Sequence, residues 1–154
     1  MQNYIKTETR LAFIQFIFSS LFSNLSLKES TEEFESYFYK LCVSSIDQKK
    51  EKPINFNKNY FKKLTNSYDE FIKTHDIKEI INSMIKFDRS FENWDQINKS
   101  IILSIFSEIE ITKKEKVKIL LNDYMNISKT LIPKRDLSMI NAITDKYLSD
   151  RQVL

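Results

Sequence analysis

The residue types that most often carry chemistry are scarce in this chain. His75 is the only histidine and Cys42 the only cysteine. A nucleophile pair built from them would need hydrogen-bond contact between a helix near residue 42 and the turn at 74–76, and nothing in the pattern calls for it. One cysteine gives no disulfide framework, and neither residue has the Asp and Glu neighbours at the spacing of a zinc site. His75 precedes Asp76, the expected cap of a helix, so an exposed loop histidine is the simplest expectation. Glu108 and Glu110 are close in sequence, but an offset of two puts them on different faces of a helix, a poor arrangement for acid–base work. A Walker loop and a dinucleotide fingerprint are both missing. The chain is therefore expected to bind rather than catalyse, with no metal and no cofactor.

The element around which other segments must pack is the stretch N-W-D-Q-I-N-K-S-I-I-L-S-I-F-S-E-I, residues 93–109. Trp94, Ile97, Ile101, Ile105 and Ile109 recur at helical spacing, and Ile102, Leu103 and Phe106 widen the stripe. A helix apolar nearly all the way round is surrounded by other helices. It is too short and too interrupted by serine to read as a membrane span. Asn93 with Gln96 reads as a capping box at its start.

Composition agrees with a helical fold. The 154 residues include no Gly and two Pro, which removes the usual residues of tight hairpin turns and phosphate-cradling loops. The expected class is all-α, one domain of about seven helices, with a front part over about 1–50 and a back part over about 57–150. The net charge of +3, from 24 basic and 21 acidic residues, permits nucleic-acid binding without demanding it. The lone cysteine favours a reducing, cytoplasmic setting. Residues 11–22 are apolar enough for a signal peptide, but Glu8, Gln15 and the lack of a small-residue cleavage site favour a core helix.

In chain order, the first helix is expected over 4–24, with Leu11, Ile14, Phe18 and Leu21 on one face. Ser30 and Glu33 form a capping box opening a second helix to about 46, with Phe34, Phe38, Leu41 and Cys42 inward. The polar stretch 47–57, with Lys49, Lys50, Lys52 and Pro53, is a solvated loop. A third helix follows to about 71, and Asp76 with Glu79 caps a fourth that carries Ile77, Ile80, Ile81, Met84 and Ile85. After the central helix, Thr112 and Glu115 form a capping box for a helix to about 131. Pro133 closes it, and Asp136 opens the last helix.

Several segments resemble the NusB family. R-L-A-F-I-Q-F-I-F (residues 10–18) is similar to the opening pattern R-x-x-A-x-Q-x-L-Y, with Arg10 and Gln15 matching and Phe18 in place of Tyr. L-N-D-Y-M-N-I-S (121–128) resembles I-N-E-x-V-E-L-A through Asn122, with Asp123 for Glu. M-I-N-A-I-T-D (139–145) resembles F-V-N-G-V-L-D through Asn141 and Asp145. The central helix resembles V-E-R-A-I-L-R-L-x-x-Y-E-L, keeping Ile101 and Glu108. The order of these segments across nearly the whole chain carries more weight than any one of them. The resemblance implies an all-helical RNA-binding domain acting in transcription antitermination and ribosomal RNA synthesis. It would pair with ribosomal protein S ten (NusE), bind single-stranded boxA RNA and stay with the RNA polymerase elongation complex. Self-association through the same surface is a further expectation.

On that basis Lys6, Arg10, Lys134, Arg135 and Met139 are the expected RNA contacts, with Arg10 and residues 139–145 sharing one front. Phe18 and Asn98 are the expected partner contacts. Gln15, Asn122 and Asn141 are expected to make hydrogen bonds inside the fold. The chain departs from the family pattern in having only Lys6 and Arg10 as its basic N-terminus. It has Leu103 where the family has Arg, Met139 for an aromatic and Lys116 for Pro. Lys134 and Arg135 are placed to restore some of that charge. Two other expectations compete: a helical interaction protein without the RNA surface, and a detached RNA-binding domain of a ribosomal RNA cytosine methyltransferase, which the end at Leu154 disfavours.

Overall fold

The computed structural model describes residues 1–22, 29–32, 34, 56–84 and 90–151, and every regular element among them is helical. These are α1 (Asn3–Ser20), α2 (Lys58–Thr74), α3 (Ile77–Met84), α4 (Gln96–Ile109), α5 (Val117–Ser128) and α6 (Lys134–Asp150). Short 3-10 turns at Phe91–Asn93 and Lys114–Lys116 precede α4 and α5. Residues 29–32 and 34 are also helical. Glu33 of the Ser30–Glu33 box, Phe38, Leu41, Cys42, the lysines of 47–55, Ile85 and nearly half of the front part lie outside the described residues.

The central helix is where the apolar pattern puts it. Every residue of α4 from Ser100 to Ile109 is buried, and α1, α2, α5 and α6 all pack on it. Its serines are tolerated because each hydroxyl is satisfied within the helix. Ser100 donates to the Gln96 carbonyl at 2.7 Å, Ser104 to Ile101 at 2.7 Å and Ser107 to Leu103 at 2.6 Å. Small side chains at these positions let neighbours approach, and Ser67 of α2 reaches across to the Ser107 carbonyl at 2.6 Å.

Around α4 the core is largely aromatic. Phe16 meets Phe34 and Phe61 edge-on, and Phe34 stacks on Phe61 at 5.3 Å. On the other side, Tyr147 of α6 stacks on Phe106 at 4.0 Å. Each such ring buried removes enough apolar surface from water to stabilise the fold by about 1.5–3 kcal/mol. One contiguous core joins α1 to the later helices.

Helix starts differ from the sequence expectation at two of the capping boxes. Asn93 sits in the 3-10 turn and bonds Ser90, α4 begins at Gln96, and the Gln96 amide oxygen is buried without a partner. Thr112 donates back to the Glu108 carbonyl instead of capping α5, which starts two residues after Glu115. Both boxes fail because of a 3-10 turn: one ends at Asn93 and leaves Asp95 at the start of α4, and the other lies between Thr112 and α5. Pro133, not Asp136, borders α6, its fixed φ of −64° suiting the position just before the helix. Two other starts follow the sequence: Asn57 accepts from Tyr60 N–H at 2.9 Å, and Asp76 from Glu79 N–H at 3.2 Å. Among the described residues no helix is long and apolar enough to cross a membrane.

Candidate functional site

The main polar constellation lies inside the bundle, around Arg10. Its Nε donates to both carboxylate oxygens of Glu108, at 3.1 and 2.9 Å, and Nη1 donates to Asp123 at 2.5 Å. Nη2 donates to the Tyr60 hydroxyl at 3.1 Å, and that hydroxyl donates in turn to Glu108. Thr7, one turn before Arg10, donates to the second oxygen of Asp123 at 2.8 Å. The guanidinium also lies over the rings of Tyr60 and Tyr124, 6.0 and 5.6 Å from their centroids. One side chain thereby ties α1 to α2, α4 and α5.

Electrostatics explain why this cluster holds together. Burial works against charge on Arg10, but Glu108, the two tyrosines and Asp123 outweigh it and hold the guanidinium protonated above its ordinary range. Burial pushes the Glu108 carboxyl up, and Arg10 and the Tyr60 hydroxyl oppose that shift. Burial and the Glu108 charge raise Tyr60 and Tyr124, keeping both phenols neutral. With Glu108 and Asp123 bonded to Arg10, the arrangement is suited to fastening helices and poorly suited to proton transfer.

A second cluster stands two residues further along. Glu110 accepts from Tyr147 at 2.9 Å and from Arg151 at 2.6 Å, and Arg151 lies 4.3 Å over the Tyr147 ring. Its ion pair of Glu110 and Arg151 is open to solvent, while the Tyr147 ring is buried. Glu108 and Glu110 therefore do face different ways, each with its own arginine and tyrosine.

The sequence-predicted site residues scatter. Arg10 is only 8 % exposed, and its donors point at Glu108, Asp123 and Tyr60. A phosphate would have to displace those partners, so the RNA contact expected of it gives way to an internal tie. Asn98 is also buried, its amide oxygen without a partner, and presents no side chain to a binding protein. Met139 is partly buried against the core. Lys134 and Arg135 are exposed at the start of α6, and Lys6 is half-buried. Arg10 and residues 139–145 form no common front, since the first is interior and Asn141 and Asp145 face solvent.

Asn122 and Asn141 are exposed rather than buried amides, because each falls on the outer face of its helix. Gln15 has its amide oxygen buried with no hydrogen-bond partner. Phe18 is exposed on α1, with Phe22 edge-on at 5.1 Å. His75 ends α2, stacked on Phe71 at 4.4 Å and bonded to Thr74, a partly covered residue rather than a free loop histidine.

The sequence pattern did not single out Tyr60 or Asp123 as partners of Arg10. One signal was available: a glutamate at 108 in a helix apolar all round requires a buried partner, because an isolated buried charge is too costly to keep. Among the described residues no group of three His, Cys, Asp or Glu is placed to hold a metal ion. No family model, curated protein or solved structure matches the chain.

Proposed function

We propose that this chain is a non-catalytic helical binding domain of the antitermination type. It pairs with ribosomal protein S ten (NusE) through the exposed aromatic end of α1, and surface cations rather than Arg10 meet boxA RNA. The observation that carries this reading is the meeting of three resembling segments at one point. Arg10, Glu108 and Asp123 come from three separate motifs, and the two carboxylates both bond Arg10. A shared interior contact gives scattered short likenesses a common physical reason. Phe18 and Phe22 then supply the apolar, solvent-facing contact that a protein partner needs.

The test mixes the chain with its own S ten homologue and a boxA RNA and follows complex formation by gel filtration and gel shift. A ternary complex is expected, with Phe18→Glu weakening the pairing by about tenfold or more. Lys134→Ala with Arg135→Ala is expected to lower RNA affinity and flatten its log–log salt dependence by about 2. Failure of both interactions contradicts the proposal. The burial of Arg10 favours one second reading, a protein-interaction domain without the RNA surface. Binding to S ten with no RNA in the complex would select it.

A further inference from the structure

The turn before α5 and the first residues of that helix form a dense basic run. Residues 113–118 hold Lys113, Lys114, Lys116 and Lys118 against Glu115, three net positive charges, the same as the +3 of the whole chain. The rest of the chain is balanced, 20 basic against 20 acidic residues. All four lysines are exposed, and none enters a salt bridge among the described residues. Two of them also stand where the helix disfavours them. Lys116 borders the N-terminus of α5 and Lys118 is in its first turn, which has no acidic residue and no side-chain cap. Cations at that end oppose the helix dipole. Local stability therefore gives no account of this placement.

Two large apolar side chains flank the charge. Ile119 is 69 % exposed and Ile111 is 40 % exposed. The types decide among partners. Residues 109–123 contain no aromatic side chain, so this segment itself supplies no platform for an unstacked base. Two isoleucines are far short of the continuous apolar face that lies in a membrane interface. Lysines beside exposed aliphatic groups are complementary to an extended or helical segment with alternating carboxylates and aliphatic residues.

We infer that the 111–119 edge is a docking surface for an acidic, leucine-rich segment of a partner protein, on a different element from the α1 surface and independent of the S ten and RNA proposal. Its carboxylates pair with Lys113, Lys114, Lys116 and Lys118, and its aliphatic side chains cover Ile119 and Ile111.

The probe is a fluorescein-labelled synthetic peptide of alternating Glu and Leu, titrated with the full chain and followed by anisotropy. Binding is expected at low salt, weakening by about fivefold or more between about 50 and 200 mM salt. Lys114→Glu with Lys116→Glu should lower affinity by about tenfold or more, because two attractive contacts become repulsive. Ile119→Ser should lower it by about threefold or more through lost apolar cover. Lys134→Glu with Arg135→Glu should leave it unchanged. Because every altered side chain is exposed, no melting curve should fall below that of the parent chain, and the lysine reversals should raise it slightly by suiting the helix dipole, which excludes misfolding. The inference is overturned if the peptide does not bind, or if the lysine reversals or the serine substitution leave its affinity unchanged. It is also overturned if a single-stranded RNA of equal length binds this edge more tightly than the peptide, or if anionic phospholipid vesicles sediment the chain through Ile119.

Discussion

Glu108 and Glu110 stand two residues apart, and each is held by one arginine and one tyrosine. Glu108 has Arg10 and Tyr60; Glu110 has Arg151 and Tyr147. The groups are the same and the surroundings are not. The Glu108 side chain is 2 % exposed, whereas that of Glu110 is 29 % exposed with Arg151 at 34 %. Water screens the second cluster and solvates either partner when the other leaves. It cannot do so for the first. The difference shows that equivalent hydrogen bonds carry unequal weight, and that the residue most expected to reach outward is the one that fastens four helices.

The comparison is broken most severely by removing a buried partner. Glu108→Ala leaves buried Arg10 with Asp123 as its one anionic partner and two Nε–H bonds unmade, and urea denaturation should show a loss of about 3 kcal/mol. Arg10→Met combined with Glu108→Leu should be less damaging than Glu108→Ala alone, because the buried cation is removed together with its buried partner. If the single change costs no more than a surface substitution, the buried cluster is not a structural tie.

The alkaline limb comes next. Tyr60, Tyr68, Tyr124 and Tyr147 all have phenols raised above the ordinary tyrosine value, by burial first in every case. A raised folded value means that above pH of about 10 the unfolded chain loses protons that the folded chain keeps. Stability from these groups is then complete below that pH and falls as pH rises through the folded values, by up to about 1.4 kcal/mol per pH unit for each. Tyrosinate absorbance should rise late and together with unfolding. An ordinary titration of all seven tyrosines in the folded state would contradict this.

Tyr60→Phe removes the donor to Glu108 and should cost about 1.5 kcal/mol, since the lost bond is to a charged group. The smallest effect belongs to the exposed cluster. Arg151→Ala should change stability by less than about 1 kcal/mol and lose its effect at high salt.

These contrasts show what the sequence could and could not reveal. The lack of glycine and the run from Ile101 to Ile109 were enough for an all-helical fold around one buried helix. Asp76 was legible as a cap because its contact with Glu79 spans three residues, whereas the cap at Asn57 was not singled out. Asn93 and Thr112 were not, because a 3-10 turn that ends at the one or follows the other leaves the local pattern unaltered. The Arg10 cluster was least legible of all. Its partners lie 50, 98 and 113 residues away, and periodicity carries no record of such distances. Asn122 and Asn141 misled for a related reason, since a motif match says nothing of which face of a helix a residue occupies.

The central claim is that Arg10 is committed to the interior, and a pair of double-mutant cycles measures it directly. Denaturation of Arg10→Met, Glu108→Leu and the double variant gives one coupling free energy; Arg151→Met and Glu110→Leu give the other. Coupling of about 2 kcal/mol or more for Arg10 with Glu108, against less than about 0.5 kcal/mol for Arg151 with Glu110, is the predicted result. Equal and small couplings in both cycles would contradict it and return Arg10 to the surface as a candidate for RNA contact.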